Sequence, residues 1–320
     1  MRLSLECLIM SKDSATPIPK PFIVISLVLA VALIVGVLAG AKVYFNRVAL
    51  TPVSMPELPS PLAGSPECAS LLDALPNTLM GHKRAELAEP APAGAAAWQS
   101  SSTERVTLRC GVDMPLQYTE YTPTFEAGGA QWMRIDDPIA GSNLTTWYTT
   151  DRSPVVAVTA NGGTGDAARA LADVNAAALP EATHTPAPAP LSQLADGPAT
   201  EAGTCDALLS ALPQSPAEGY TRLDVEQERT VAWQAEGKEP ILLRCNVAPP
   251  ENYEPGLQLY QINGVTWFED TELADNPSAS TWFALGRDAV IAVHLPQGEG
   301  NAAVTALSEA IEATVPARSE

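Results

Sequence analysis

The cysteines are the residues whose chemistry the sequence indicates most directly. Cys68 is followed by Cys110, Cys205 is followed by Cys245, and Cys7 stands apart near the N-terminus. Metal sites usually place Cys or His ligands a few residues apart, and these partners are far apart with no His beside them. We therefore predict one disulfide in each pair, with Cys7 left reduced. Such bridges persist outside the cytoplasm, so both pairs are expected there.

Catalytic motifs are missing from the sequence. Of the three histidines, His184 falls in a Pro-rich segment, and His82 and His294 are interpreted as surface or strand residues. There is no G-x-S-x-G, no H-E-x-x-H and no lysine-bearing phosphate loop. The glycine-rich run 161–166 is interpreted as the turn before a helix. We expect no enzyme activity, no catalytic residue, no cofactor and no metal site.

Acidic residues dominate most of the chain. Residues 1–47 have a net charge of +3, whereas residues 48–320 carry thirteen Lys and Arg against thirty-five Asp and Glu, a net charge of −22. Phosphate backbones would be repelled, so nucleic acid is excluded as a partner. Asp136-Asp137 and the run 269–275 could hold a divalent cation, but neither has EF-hand spacing, and solvated loops are the preferred interpretation.

An internal repeat is the strongest pattern in the sequence. Residues 94–112 read GAAAWQSSSTERVTLRCGV, and residues 229–247 read RTVAWQAEGKEPILLRCNV. The offset of 135 continues without a gap to Arg152 and Arg287, and three tryptophans recur in the same places. Gene duplication is the economical explanation.

Six arginines recur between the two copies and are the candidate ligand-binding residues. They are Arg84, Arg109 and Arg152 in the first copy and Arg222, Arg244 and Arg287 in the second. They could pair with buried carboxylates such as Glu86 and Asp224, which is the preferred interpretation. They could instead converge on an anionic envelope ligand, a carboxylate or a phosphate. The recurring tryptophans leave a similar choice between core packing and a stacking platform for sugars.

Each copy is predicted to be an α+β domain. A short helix holds the first cysteine, with Ser65 as its N-cap in the first copy and Thr204 in the second. About five antiparallel strands follow, including 116–125 and 257–262, with hairpin turns at Gly128-Gly129 and Asn263-Gly264. A final helix, 164–179 or 301–315, closes each copy.

The N-terminal region contains one long apolar segment. Phe22 to Ala41 reads FIVISLVLAVALIVGVLAGA, without a charge, and would span about 30 Å as a helix. The alternative is a cleaved signal peptide, because Ala39-Gly40-Ala41 fits a cleavage site. A retained anchor is preferred because the segment is longer than a usual signal core. Flanking basic residues slightly favour a cytoplasmic N-terminus, and Met10 is an alternative start.

These features divide the chain into six predicted parts. They are a cytoplasmic tail (1–20), a transmembrane helix (21–44), a Pro-rich stalk (45–65), repeat domain 1 (66–180), a Pro/Ala linker (181–203) and repeat domain 2 (204–316). The stalk and the linker are expected to be extended spacers.

The motifs of the first copy resemble one known family. The pattern C-x2-L-x3-LP, then AWQ-x8-LRCGV, then TW-x4-R-x-P is similar to an actinobacterial domain-of-unknown-function family, number 3515, of envelope proteins. The second copy departs from the pattern where Asn246 replaces Gly111 and where its TW motif lacks the later proline. The resemblance implies an envelope location and a domain type, and it carries no chemistry.

The expected function is therefore that of a single-pass plasma-membrane protein whose two domains lie outside the cell. A non-enzymatic module that binds or scaffolds an envelope protein or a wall polymer is preferred. The alternatives are an enzyme acting on envelope material and a carrier of a small ligand or lipid. A deep apolar cavity would favour a carrier, and a flat, closed surface would favour a scaffold.

Overall fold

The computed structural model describes residues 20–48, 51–101, 103–139, 141–161, 167–271 and 278–318. Contacts divide the chain into two units, Met1–Ala49 and Leu50–Glu320. In the first unit, helix α1 spans Lys20–Val48. Its Val24–Tyr44 portion is long and apolar enough to cross a membrane, although a signal sequence would have the same properties. The predictions for Cys7, Met10 and the tail lie outside the described residues.

The first copy begins with helix α2, Pro66–Ala74, and ends with helix α3, Ala167–Ala172, and a 3₁₀ turn at Ala176–Ala178. Between them lie eight strands: β1 Thr78–Leu79, β2 His82–Ala85, β3 Ala95–Gln99, β4 Arg105–Val112, β5 Thr124–Ala127, β6 Ala130–Asp136, β7 Leu144–Thr149 and β8 Val155–Asn161.

The second copy begins with a 3₁₀ turn at Ala199–Thr204 and helix α4, Cys205–Ala211, and ends with helix α5, Gly300–Thr314. Its seven strands are β9 Thr221–Leu223, β10 Thr230–Gln234, β11 Ile241–Cys245, β12 Tyr260–Ile262, β13 Val265–Asp270, β14 Ala279–Leu285 and β15 Ile291–Pro296.

The two sheets have the same strand order. The first runs β5-β6-β7-β8-β4-β3-β2-β1, and the second runs β12-β13-β14-β15-β11-β10-β9. Every pairing of named strands is antiparallel. The α+β architecture is therefore confirmed, and the first copy adds only the two-residue edge strand β1.

The predicted number of about five strands per copy is too low. The recurring AWQ segments form strands of their own, β3 and β10, which pair beside the cysteine-bearing strands β4 and β11. Conversely, the predicted strands at 116–125 and 257–262 are mostly irregular, and only their last residues join a sheet. Pro115 precedes the first of these segments and Pro123 lies within it, and proline cannot donate to a strand ladder.

The helix predictions were partly right. The Ser65 hydroxyl accepts a hydrogen bond from the Cys68 amide at 3.2 Å, which confirms the first cap. Thr204 makes no such bond, because the 3₁₀ turn leads directly into α4 and leaves Thr204 in a helical conformation. The final helix of the first copy is interrupted at Asn175, which has a φ of 56°, whereas α5 is continuous as predicted.

Both disulfides form as predicted. The Cα atoms of Cys68 and Cys110 are 5.6 Å apart, and those of Cys205 and Cys245 are 5.8 Å apart. Each bridge joins the first helix of a copy to the strand at the centre of its sheet, and all four cysteines are buried in the cores between helices and sheet. The bridge therefore fixes the helix against the sheet that covers it.

The Pro-rich segments are not free spacers, which corrects the expectation for the stalk and the linker. We call residues 53–62 and 188–197 the first and second straps; each precedes the helix of its copy. Val53 and Met55 are buried against Ala97 on the sheet face opposite the helices. Ala189 and Leu191 lie in a larger cluster on the same face of the second sheet. Each sheet is therefore covered on both faces, with a proline-containing strap on one of them.

The straps occupy equivalent positions in the two copies. The Leu62 amide donates to the Gly111 carbonyl at 3.2 Å, and the Gly197 amide donates to the Asn246 carbonyl at 2.9 Å. Both donors and both acceptors are related by the repeat offset of 135. The strap is thus part of the duplicated unit, although the sequences of the two straps have diverged.

Candidate functional site

The central arginine of each copy holds the strap. Arg109 donates from Nη2 to the Pro56 carbonyl. Arg244 donates from Nη1 to the carbonyls of Leu191 and Leu194, at 2.9 and 2.7 Å, and from Nη2 to Asp196 at 2.7 Å. Because Pro56 and Leu191 are also related by the offset of 135, the two arginines perform the same structural task.

The arginines after the TW motifs hold the hairpin turns. Arg152 donates to the Gly129 carbonyl, and Arg287 donates to the Gly264 carbonyl and, at 2.9 Å, to the carbonyl of Val315 after the last helix. Each links a glycine of the hairpin predicted from the sequence to the C-terminal part of its copy. Main-chain carbonyls, rather than buried carboxylates, are therefore their main partners.

The remaining pair of arginines contacts the first helix or its neighbouring tryptophan. Arg222 donates to the carbonyls of Leu209 and Leu212, at 3.0 and 3.4 Å, at the C-terminal end of α4. Arg84 stacks on Trp98, with its guanidinium carbon 4.8 Å from the ring centroid. The three arginines of each copy are thus engaged at three different places, and the predicted ligand role gains no support from their positions.

Five of the six recurring tryptophans are buried in the cores, and the sixth, Trp282, is partly buried against one of them. Trp98, Trp132, Trp233 and Trp267 are fully buried. The indoles of Trp98 and Trp233 donate to the Pro76 and Pro213 carbonyls, both at 2.9 Å, at the end of the first helix of each copy. These equivalent contacts explain why the LP and AWQ motifs recur together.

The predicted acidic candidates have structural partners where they are described. The Asp136 carboxylate accepts from Arg134 at 2.9 Å and from Thr145 at 2.7 Å, and its amide donates to the Gly237 carbonyl of the second copy at 2.7 Å. Residues 162–166 and 272–275 lie outside the described residues. Within the described ranges, no three His, Cys, Asp or Glu side chains gather as a metal site would require.

A cavity lies between the two copies, and we call it the inter-copy groove. It has a volume of about 510 Å³. Its walls come from the first copy, from the second strap and from the second sheet; they include Leu116, Gln117, Thr119, residues 187–191, Gln193, Leu194, Glu239, Pro240, residues 279–281 and His294. Small-molecule sites typically have this size and combine apolar walls with a few polar groups.

A cluster of four polar side chains lies at one side of the groove. Gln117 Nε2 donates to Ser278 Oγ at 3.2 Å, and Ser278 Oγ donates to Glu239 Oε1. The other carboxylate oxygen, Glu239 Oε2, is 3.9 Å from His294 Nε2. The side chains of Glu239 and His294 are only 11% and 13% exposed, so both groups are largely withdrawn from water.

The His294 imidazole is neutral at neutral pH. Burial lowers the pKa of His294 from 6.5 to about 4, because desolvation disfavours the charged ring. Its Nε2 atom is buried and has no hydrogen-bond partner within the described part of the chain. An unsatisfied buried polar atom is uncommon in folded proteins and costs about 1–3 kcal/mol. The groove is where a partner for this atom could be placed.

The cluster does not have the order of a catalytic triad. In a Ser-His-acid triad the imidazole lies between the nucleophile and the carboxylate. Here the Glu239 carboxylate lies between the Ser278 hydroxyl and the His294 ring, and it already accepts the serine hydroxyl. A histidine with a pKa near 4 is also a weak general base at neutral pH. The arrangement is suited to binding a hydrogen-bond donor.

Sequence reasoning missed this cluster, although one signal was present. His294 occupies the position of Thr159, and Glu239 recurs as Glu104. In the first copy, Thr159 Oγ1 forms a hydrogen bond with Thr146 Oγ1 at 2.9 Å, and the pair is satisfied. His294 is a titratable residue in the otherwise apolar strand β15, where the first copy has a threonine, and this difference between the copies could have identified the groove.

Comparison with known proteins gives a family and no activity. The family model described as "Protein of unknown function (DUF3515)" matches residues 27–184 and again residues 170–320. No curated protein matches the chain, and no solved structure does. Both matches begin upstream of the cysteine helix, and so both include the strap. The chain therefore belongs to the DUF3515 family and contains two tandem copies of its domain.

Proposed function

We propose that this protein is a membrane-anchored, extracytoplasmic envelope module that binds a ligand or partner without transforming it. The observation that carries the location is the pair of disulfides, one in each copy, downstream of the apolar helix α1. Structural disulfides persist where the environment is oxidising. With the N-terminus in the cytoplasm, α1 as a retained anchor would place both copies on the outer side of the plasma membrane.

Binding is favoured over catalysis by how the polar side chains are used. Five of the six recurring arginines contact main-chain carbonyls, with Arg152 and Arg244 also paired with Glu181 and Asp196, and Arg84 stacks on an indole ring. The polar cluster of the groove has an order unsuited to nucleophilic catalysis. What the fold offers instead is a groove with apolar walls and a small polar side. These features favour a carrier of a small ligand over a scaffold. An enzyme acting on envelope material is the third alternative.

The location is tested by labelling intact cells with a membrane-impermeant amine reagent. Lys83 is exposed and is the target of choice, whereas Lys238 contacts Glu299 and the Tyr220 ring. We expect Lys83 to be modified in intact cells and Lys12 to be modified only after permeabilisation. Modification of Lys12 alone in intact cells would reverse the orientation and overturn the proposal.

The binding role is tested by photo-crosslinking in cells from position 116, where the exposed Leu116 borders the groove. A crosslinker at position 83, on strand β2 and outside the groove walls, is the matched control for non-specific capture. We expect an intact envelope component to be captured from position 116 and not from position 83. Recovery of cleaved envelope fragments from position 116 would indicate an enzyme and would contradict this proposal.

A further inference from the structure

We propose that the inter-copy groove binds a small organic cation, with a primary ammonium group between Glu239 and His294 and an apolar body against the second strap. This inference rests on the proposed binding function and specifies its ligand class. It takes the polar cluster as the recognition element and the strap residues Ala189, Leu191 and Leu194 as the apolar wall.

The spacing of the two acceptors suits a bridging donor. Glu239 Oε2 and His294 Nε2 are 3.9 Å apart, which is too long for a hydrogen bond between them. A nitrogen placed about 2.9 Å from each would form one hydrogen bond to the carboxylate and one to the imidazole. A primary ammonium carries three N–H donors and no acceptor, so it can donate to the carboxylate and to the imidazole at once. The neutral imidazole presents a ring nitrogen as acceptor in the corresponding tautomer.

The charge of the site favours a cation over a neutral donor. The groove is lined by the carboxylate of Glu239 and, among the described residues, by no Lys or Arg. Lys238, the adjacent residue, is paired with Glu299 and lies over the Tyr220 ring, with its Nζ atom 5.6 Å from the ring centroid. The net charge of −22 over residues 48–320 would also raise the local concentration of cations.

The rest of the groove selects for an apolar body. Leu191 and Ala189 of the strap and Pro240 and Ala279 of the second copy are buried wall residues, and Leu116 of the first copy is exposed at the groove. A volume of about 510 Å³ accommodates a ligand larger than one aromatic ring. A small inorganic cation would leave this apolar space unfilled, so an organic ammonium fits the walls better.

Only the second copy can bind in this way. At the equivalent place in the first copy, Thr159 and Thr146 satisfy each other at 2.9 Å, and Glu104 is exposed and interacts with Ser100 at 3.4 Å. The strap of the second copy and the loop at Leu116–Thr119 of the first copy close the groove together. The site therefore depends on the tandem arrangement and could not exist in a single copy.

The test is calorimetric titration of the full-length protein in zwitterionic nanodiscs at pH 7, with empty nanodiscs as the blank. The probes are benzylamine, which is cationic, benzyl alcohol, which has the same shape without charge, and benzoate, which is anionic. We expect saturable binding of one benzylamine per chain, at least about tenfold weaker binding of benzyl alcohol, and no binding of benzoate, because a buried carboxylate repels an anion.

Two matched variants locate the site. Glu239→Gln should weaken benzylamine binding by at least about tenfold, whereas Glu104→Gln, the same change at the equivalent position of the first copy, should leave it unaltered. Equal binding by wild type and Glu239→Gln, equal affinity for benzyl alcohol and benzylamine, or no saturable binding of benzylamine would each overturn the inference.

A second measurement needs no substitution. The ¹⁵N resonance of His294 Nε2 in the selectively labelled wild-type protein should shift on addition of benzylamine and not of benzoate. An unchanged resonance at saturating benzylamine would place the ligand elsewhere and reject the site. Neither measurement depends on membrane orientation, so a failure here with Lys83 labelled in intact cells would reject the ligand class and leave the proposed function standing.

Discussion

The two copies have one topology but stabilise their straps differently. The first strap contacts its sheet through a small cluster around Val53 and Met55, through main-chain hydrogen bonds, and through one side-chain hydrogen bond, from Arg109. The second strap lies in a cluster of ten buried residues and is bound by the buried Arg244 at three oxygens. Both copies have the second sheet face covered, but the cluster is larger in the second copy, whose strap also borders the groove.

The disulfides should show the largest effect and no difference between copies. Their sequence separations are 42 and 40 residues, so the chain-entropy model assigns each about 4 kcal/mol. We expect Cys68→Ala/Cys110→Ala and Cys205→Ala/Cys245→Ala to lower the free energy of unfolding by similar amounts. Hydrogen exchange followed by mass spectrometry would locate each loss in its own copy. If removing one bridge left the hydrogen-exchange rates of its copy unchanged, the two bridges would not stabilise their copies equally, and the prediction would be wrong.

The stability of the second copy should depend on pH through His294, whereas the first copy has a threonine at the equivalent position. Its pKa is about 4 in the folded protein and 6.5 for a histidine exposed to water, so between these values the unfolded chain binds a proton that the folded chain does not. Stability attributable to His294 is therefore lost as the pH falls from about 6.5 to 4, by about 3 kcal/mol in total.

Denaturant unfolding of wild type and His294→Thr between pH 4 and 7 measures this contribution. Thr is the residue of the first copy at this position, and His294→Thr should remove the corresponding part of the pH slope. His82→Thr is the control, since His82 lies on the half-exposed strand β2 of the first copy. If the free energy of unfolding changed equally with pH in wild type and His294→Thr, the pKa of His294 would be the same in the folded and the unfolded chain. That result would contradict the prediction.

The strap and the sheet approach closely in both copies, but the glycine that makes room lies on the strand in the first copy and on the strap in the second. A Cβ added to Gly111, whose φ is +85°, would lie 2.3 Å from the Ala63 nitrogen and from the Leu62 carbonyl carbon. In the second copy the glycine is on the strap: a Cβ on Gly197 would lie 2.5 Å from Asn246 Oδ1. Each crossing thus has room for one side chain, on the strap in one copy and on the strand in the other.

We expect Gly111→Asn to lower stability by about 2–3 kcal/mol, because backbone atoms must move to admit the side chain. Asn246→Gly should cost about 1 kcal/mol, the loss of its hydrogen bond to the Pro198 carbonyl. Adding Leu62→Gly to Gly111→Asn gives the residue pair of the second copy and should recover part of the loss, because glycine lets the strap backbone move away from the added side chain. Thermal unfolding of the three variants checks this order, and a Gly111→Asn protein as stable as wild type would refute the crossing geometry.

Substitution of the strap-binding arginines should lower the free energy of unfolding least, and by different amounts in the two copies. Arg244→Met removes three hydrogen bonds from a buried guanidinium and should cost about 2 kcal/mol, whereas Arg109→Met removes one and should cost about 1 kcal/mol. Limited proteolysis within each strap is the readout. Equal protection of both straps after substitution would mean that the apolar contacts and the main-chain hydrogen bonds hold them without the arginines.

Much of the fold could be predicted from particular residues. The Asn263-Gly264 and Gly128-Gly129 pairs marked the hairpins, because these residues adopt positive φ readily. Ser65-Pro66 marked the start of α2. The AWQ strands were missed because AAAWQ and TVAWQ lack the alternation of a half-buried strand; both faces of their sheets are covered, so both faces are apolar.

The groove could not be predicted, because its walls are far apart in sequence. Gln117, Leu191, Glu239 and His294 come from a loop of the first copy, the strap, a hairpin loop and a strand of the second copy. Only packing of the two copies against each other, including the Arg134–Glu236 ion pair at 3.1 Å, brings these parts together. The straps were misjudged for a related reason, since proline content indicates extension but not what the extended chain contacts.

The sequence by itself determined the duplication, both cysteine pairings and the apolar N-terminal helix, because these depend on residue identity, spacing and local periodicity. The tertiary structure decided that five of the six recurring arginines bind main-chain carbonyls, that the straps cover the sheets, and that Glu239 and His294 face each other across 3.9 Å. Those outcomes depend on desolvation and on contacts between distant segments, and neither is encoded in a local pattern.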